Sequence, residues 1–422
     1  MNPVIEKFGR IVDGCIAERP AAARRLLTTG FRLNGWAGRH FNRRATPARL
    51  HLADVCNRSI LRSFDHPQQS AMVSLFTPCE LLQAFGLAPM FPEGMAVYLS
   101  GAGAEGGFVE SAERGGVPET FCSYHKIIIG AAEAGVLPAP RFILNTTLAC
   151  DANTLTFRRL AAFYGVPHFV IDVPFAADAG AVRDVAGQMR AAAREIAALL
   201  GRPLDEDALR QATGRSGRTL ALYRAYLAER AKRSMPDEMT AEMYAVFALH
   251  ALLGTPEAES FAQQLLREAQ AAPPAGRETR LLWVHTIPNL DSAMISLLDF
   301  NPDCQILATD ICFDAPPLPH LDDPWEAMAR RLVENHFNGP AQRRIDAVLA
   351  QAKALRPDGV VWFCHWGCRQ TDGAGQLAKQ QLERAGFPTL VLDGDGCDRS
   401  NCPPGQTATR MQAFLELLEG RK

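Results

Sequence analysis

"RFILNTTL" (141–148), followed by "NTLTFRRLAAFYG" (153–165) and "VPHFVIDV" (166–173), decides the fold. A short apolar run rich in β-branched and aromatic residues leads into apolar positions at helical spacing. A glycine then stops the helix and a second apolar run begins. That is a strand, a crossover helix and a strand parallel to the first. The same order appears upstream, where "AMVSLF" (71–76) reads as a strand, "TPCELLQAFG" (77–86) as loop and helix, and "LAPMFPE" (87–93) as a strand. It returns downstream in "LLWVHTI" (281–287), "QILATDI" (305–311), "GVVWFC" (359–364) and "TLVLDG" (389–394), all separated by helical stretches. Such alternation specifies an α/β protein with parallel sheets.

Between these two sets the pattern is wholly helical, as in "AVRDVAGQMRAAAREIAALLG" (181–201), and "AAPPAG" (271–276) reads as a linker. Residues 140–175 and 357–396 share one plan: a strand, a Cys-bearing loop, a helix, then Gly-x-Pro and a strand ending in Asp. The repeat points to two similar α/β halves facing each other across a cleft. The expected division is an N-terminal helical segment (1–70), a first α/β domain (71–180), a helical insertion (181–276) and a second α/β domain (277–422). The chain closes on "TATRMQAFLELLEG" (407–420), an amphipathic helix with Thr407 or Thr409 as its expected cap.

Forty-four basic residues against 46 acidic ones leave a net charge of −2, and no basic stripe is interleaved with aromatics, which argues against nucleic acid as a partner. The N-terminus lacks a basic start followed by a continuous apolar stretch, and no apolar run approaches the roughly 18 residues of a membrane span. A cytoplasmic protein without a membrane partner is expected. The 11 cysteines then have little chance of forming a disulfide framework, and metal ligation, catalysis or plain burial remain.

Six cysteines follow strands or open helices: Cys79, Cys122, Cys150, Cys364, Cys368 and Cys397. Ligands collect beyond the carboxyl ends of parallel strands, where helix N-termini favour a thiolate. Cys15, Cys56, Cys304, Cys312 and Cys402 lack this context and read as core filler. Zinc knuckles would place cysteines in close pairs, and a redox pair would be C-x-x-C; the six candidates hold one C-x3-C and are otherwise scattered singly. Iron–sulfur clusters draw ligands from distant loops. Iron–sulfur, zinc and buried thiols all stay open on the residues alone.

"TPCELLQAFGLAP", "CSYHK", "CD", "VPHFVIDVPF", "FCHWGCRQ", "LVLDGDGCDRSN" and "GQTATRMQAFLELL" together resemble the 2-hydroxyacyl-CoA dehydratase family, which includes benzoyl-CoA reductase subunits and double-cubane cluster proteins. The likeness covers roughly residues 70–175 and 280–420. It implies two flavodoxin- or Rossmann-like α/β halves with a low-potential iron–sulfur cluster between them, either a 4Fe-4S cluster on three cysteines or an 8Fe-9S double cubane on a larger set. Cys79, Cys122, Cys150 and Cys364 match family blocks, and Cys368 and Cys397 match cysteines of a subset. The resemblance further implies an ATP-hydrolysing activator with its own 4Fe-4S cluster, an acyl-CoA substrate, a homodimer or a heterodimer with a paralogous subunit, and radical dehydration driven by one injected electron. A double-cubane reductase of a small unsaturated substrate, or a non-catalytic iron–sulfur accessory or electron-carrier subunit, are the alternatives. No G-x-x-x-x-G-K-[ST] phosphate loop is present, as expected if a partner uses the ATP.

His125 and His365 adjoin candidate cysteines and read either as hydrogen-bonding supports of the ligands or as proton-transfer groups. Glu80 reads as a general acid/base or as a helix-start carboxylate favoured by the dipole. Trp366 is expected to cover the site, while Lys126, Arg369 and Gln370 read as anion-orienting groups or as solvated loop residues. The glycine-rich "GAGAEGG" (101–107) reads as a flexible surface loop.

Overall fold

The computed structural model describes residues 3–288, 290–315, 322–402 and 405–421. Two four-stranded parallel sheets carry the fold. The first comprises β1 (Ser70–Val73), β2 (Ala88–Met90), β3 (Ile143–Thr146) and β4 (His168–Ile171) in the order β2-β1-β3-β4. The second comprises β5 (Thr279–Val284), β6 (Cys304–Thr309), β7 (Gly359–His365) and β8 (Thr389–Gly394) in the order β6-β5-β7-β8. The two orders are the same, so the internal repeat is a repeat of topology. Strand order reverses between β1 and β3, and again between β5 and β7, and each reversal opens a crevice beyond the carboxyl ends of the strands. Both sheets are dominated by strands buried along their length: β3 and β7 expose no residue, as expected of central parallel strands covered on both faces.

Helices at Pro3–Ile16, Pro20–Phe41 and Pro47–Asp65 precede the first sheet. Each begins on proline, whose missing N–H costs nothing in the first turn, and Thr46 caps the third. Between the sheets run helices Ala179–Leu200, Glu206–Arg230, Ala241–Val246 and Pro256–Ala271, with Asp178, Asp205 and Thr255 as side-chain caps on three of them. Helix Ala241–Val246 runs on into a π-helical turn, Phe247–Ala251. Among the described residues no helix is long and apolar enough to cross a membrane.

Several local expectations are corrected. "LAPMFPE" is strand only to Met90; Pro92 and Glu93 open helix Pro92–Gly101, as a proline followed by an acidic residue favours. "GAGAEGG" is a tight turn between that helix and helix Glu105–Arg114. It is packed rather than flexible: Ala104 is fully buried, and a Cβ on Gly9 would lie 2.0 Å from the Gly103 carbonyl oxygen. Neither Thr407 nor Thr409 caps the last helix, Gln406–Glu419. Gly405 holds the cap position in a left-handed conformation, and Thr409 donates its hydroxyl to the Gly405 carbonyl.

Candidate iron–sulfur site

The carboxyl ends of the two sheets border one cavity of about 150 Å³, lined from both halves and from the helical segment. Cys122, Cys150 and Cys368 all reach it. Cys122 occupies the cap position of helix Ser123–Glu133. Cys150 caps helix Asp151–Tyr164, where its sulfur accepts the Asn153 N–H at 3.4 Å. Cys368 follows β7 across a turn that Gly367 makes at φ +79°. Burial pushes all three thiols up: Cys122 far above its ordinary value, Cys150 to about 12, and Cys368 in the same direction. Their mutual proximity adds to this, with Cys368 and Cys150 acting on Cys122 and Cys368 acting on Cys150. Three thiols that repel one another's charge, one buried and two half-buried at the same cavity, suit a polynuclear cation better than a reactive nucleophile.

Four polar side chains complete this end of the cavity. His365 Nε2 lies 3.2 Å from the Cys122 sulfur, and His125 Nε2 lies 3.8 Å from the Cys150 sulfur. His125 Nδ1 is buried with no hydrogen-bond partner. Burial, reinforced by His365, lowers His125 to about 3, and burial lowers His365 and His285 as well, so all three imidazoles are neutral near pH 7. Gln370 also lines the cavity. Ala149 and His285, both on its wall, hold left-handed φ of 72° and 77°, a strained conformation for residues with a Cβ that concentrates at functional sites.

The other three candidate cysteines sit elsewhere. Successive residues of a strand point to opposite faces; in β7, His365 faces the cavity and Cys364 faces away, toward the Thr371 carbonyl at 3.7 Å. Cys397 is fully buried beside Tyr124 with its N–H on Asp395, and Cys79 is buried at the start of helix Glu80–Ala84. Neither lines the cavity. Glu80 is fully buried in a bidentate pair with Arg331, at 2.6 and 2.8 Å, and also accepts the Ser216 hydroxyl at 2.6 Å. Lys126 is buried on Glu113 and the Glu119 carbonyl, Arg369 is solvated, and Trp366 is 43% exposed and does not cover the cavity.

Sequence reading missed Glu93. Its carboxyl lines the cavity, one oxygen accepts the Leu75 N–H at 3.1 Å, and burial lifts it to about 7. The one signal was the Pro-Glu pair at a helix start. It also missed the helical segment's contribution, since Met243, Tyr244, Val246 and Phe247 form one wall. Among the described residues no three His, Cys, Asp or Glu side chains gather tightly enough to chelate a single metal ion. A cubane places a different iron on each cysteine and needs no such convergence.

Residues 74–418 match the sequence profile of HGD-D, 2-hydroxyglutaryl-CoA dehydratase, D-component. The chain belongs to this family. The match runs through the helical segment as well as both sheets. Lactoyl-CoA dehydratase subunit alpha of Anaerotignum propionicum is 25% identical over 383 residues, covering 81% of this chain and 89% of its own. The (R)-phenyllactyl-CoA dehydratase alpha subunit of Clostridium sporogenes is 22% identical, covering 82% and 88%. The (R)-2-hydroxyglutaryl-CoA dehydratase subunit alpha of Acidaminococcus fermentans is also 22% identical, over 67% and 61%.

Proposed function

We propose that this chain is the alpha-type subunit of a 2-hydroxyacyl-CoA dehydratase and that Cys122, Cys150 and Cys368 hold a 4Fe-4S cluster. The observation that carries the reading is the meeting of these three thiols at one cavity, with Cys79, Cys364 and Cys397 outside its lining. The donor set fits the group: three soft sulfurs, one buried and two half-buried, a neutral histidine beside two of them, and, among the described residues, no cationic side chain on the lining to compete for the thiolates. When bound, such a cluster supplies one-electron chemistry at low potential.

The chain's own residues handle protons and water. The apolar wall keeps bulk solvent from the reacting atoms. Glu93, balanced near pH 7 between its two protonation states, is placed to give a proton to a departing hydroxyl. His365 and His125 stay neutral and orient the cysteines. A second subunit fits the relatives' designation as alpha subunits, and the electron would come from the ATP-hydrolysing 4Fe-4S activator that the family resemblance implies.

The test is anaerobic purification with iron and sulfide counts and EPR. About four irons per chain is expected, with iron lost in Cys122→Ala, Cys150→Ala and Cys368→Ala and kept in Cys364→Ala and Cys397→Ala. About eight irons, lost in all five variants, would replace this reading with a double cubane.

A further inference from the structure

We infer that the acyl side chain accepted by this cavity is apolar, aliphatic or aromatic, and that a thioester carrying a second carboxylate is rejected. The inference rests on the dehydratase reading and narrows its substrate class.

The cavity has a polar end and an apolar end. His365 lies against the Cys122 sulfur, and His125 and the Asn153 N–H against that of Cys150, whereas Phe76, Phe91, Val97, Met243, Val246 and Phe247 supply an apolar wall with the Tyr244 phenol as its polar group. That wall is built from interlocked rings. Phe91 and Phe247 meet edge to face at 5.3 Å, and Phe76 packs against the Phe337 ring at 5.3 Å and the His250 ring at 5.4 Å. Phe247 is delivered by the π-helical turn, a departure from α geometry that recurs at functional sites. Gly94 makes room for it, because a Cβ there would lie 2.4 Å from the Phe247 ring and 2.8 Å from that of Phe91.

Among the described residues no lysine or arginine lines the cavity. Lys126 is paired with Glu113 and Arg331 with Glu80, while Arg344, outside the lining, pairs with Asp310, donates to the Gln370 carbonyl and lies over the Phe337 ring with one guanidinium nitrogen unpartnered. A carboxylate brought in here would lose its hydration with no cationic partner on the lining, whereas a branched alkyl or phenyl group would gain contact with the rings.

The experiment uses the full-length chain, purified anaerobically with its iron content measured. It is titrated by calorimetry with 2-hydroxy-4-methylpentanoyl-CoA, 3-phenyl-2-hydroxypropanoyl-CoA, 2-hydroxyglutaryl-CoA and free CoA. The two apolar thioesters are expected to bind at least about tenfold more tightly than 2-hydroxyglutaryl-CoA. Phe247→Ala should weaken the apolar thioesters by about tenfold and leave free CoA unchanged; the wild-type ranking stands even if that variant folds poorly. Equal or tighter binding of 2-hydroxyglutaryl-CoA overturns the inference and leaves the dehydratase reading intact. If no thioester binds better than free CoA, the acyl-CoA reading fails and this inference falls with it.

Discussion

His365 Nε2 stands 3.2 Å from the sulfur of Cys122, and its Nδ1 accepts the Gly396 N–H at 3.0 Å. A backbone N–H can only donate, so Nδ1 must be the unprotonated nitrogen and Nε2 carries the hydrogen that points at sulfur. The last residue of β7 thus supports a cysteine from the opposite half. A donor on a ligating sulfur stabilises the extra negative charge of a reduced cluster. His365→Leu should therefore shift the reduction potential downward, with His365→Gln recovering part of the shift, as read by redox titration followed by EPR. Full iron content with an unchanged potential in His365→Leu would show that the N–H does not act on the sulfur.

Gly367 holds Cys368 and Cys122 in register. Its φ of +79° suits glycine, and a Cβ there would lie 2.8 Å from both the Cys122 nitrogen and the Thr120 carbonyl oxygen. Those neighbours are backbone and cannot rotate aside. Gly367→Ala should cost about 1–3 kcal/mol by chemical denaturation and lower iron content, because the two cysteine loops are forced apart. A variant with normal stability and iron would mean that the loops have slack.

The Glu80–Arg331 pair joins the helix after β1 to helix Pro324–Val333 of the second half. Burial alone would raise the Glu80 carboxyl, but Arg331 outweighs it and holds the group below the ordinary carboxylate range. Arg331→Met leaves a buried, uncompensated carboxylate and should cost about 3–5 kcal/mol at pH 7. Because the folded-state pKa is depressed, the pair's contribution is complete above about pH 4.3, the ordinary glutamate value, and is lost as pH falls through the folded value. The gap in stability between wild type and Arg331→Met should accordingly close in acid; a gap independent of pH would assign the loss to packing.

Glu93 has the opposite sign. Burial raises its folded pKa to about 7, so the folded state holds this proton more tightly than the unfolded chain does. Its contribution to stability is greatest below about pH 4.3 and declines as pH rises toward 7, then levels off. Glu93→Gln should flatten stability over that window, measured as denaturation midpoint against pH, and should abolish dehydration in the cluster-loaded protein. Retained turnover would remove Glu93 from the proton path.

Much of this was legible in the chain itself. Runs such as "FILNTT" and "VVWFC" specify buried parallel strands because their period and length leave no other element, and the matching order of the two halves follows from the repeat. The cysteines at strand ends and helix starts, and the family blocks that contain them, marked where a site had to form. Adjacent residues of one strand face opposite ways, so His365 and Cys364 could never both border the same cavity.

Which of the two faced inward depended on the side of the second sheet that meets the first, and no local pattern encodes that. The same holds for Glu80 and Glu93, both near helix starts after strands of the first sheet. Arg331, some 250 residues along the chain, turns one into a closed ion pair, and the helical segment encloses the other beside three thiols. Sequence determined the elements and the kind of chemistry, because periodicity and side-chain type are local. Tertiary structure alone decided which cysteines meet and which carboxylate titrates, because burial and charge pairing depend on partners far apart in the chain.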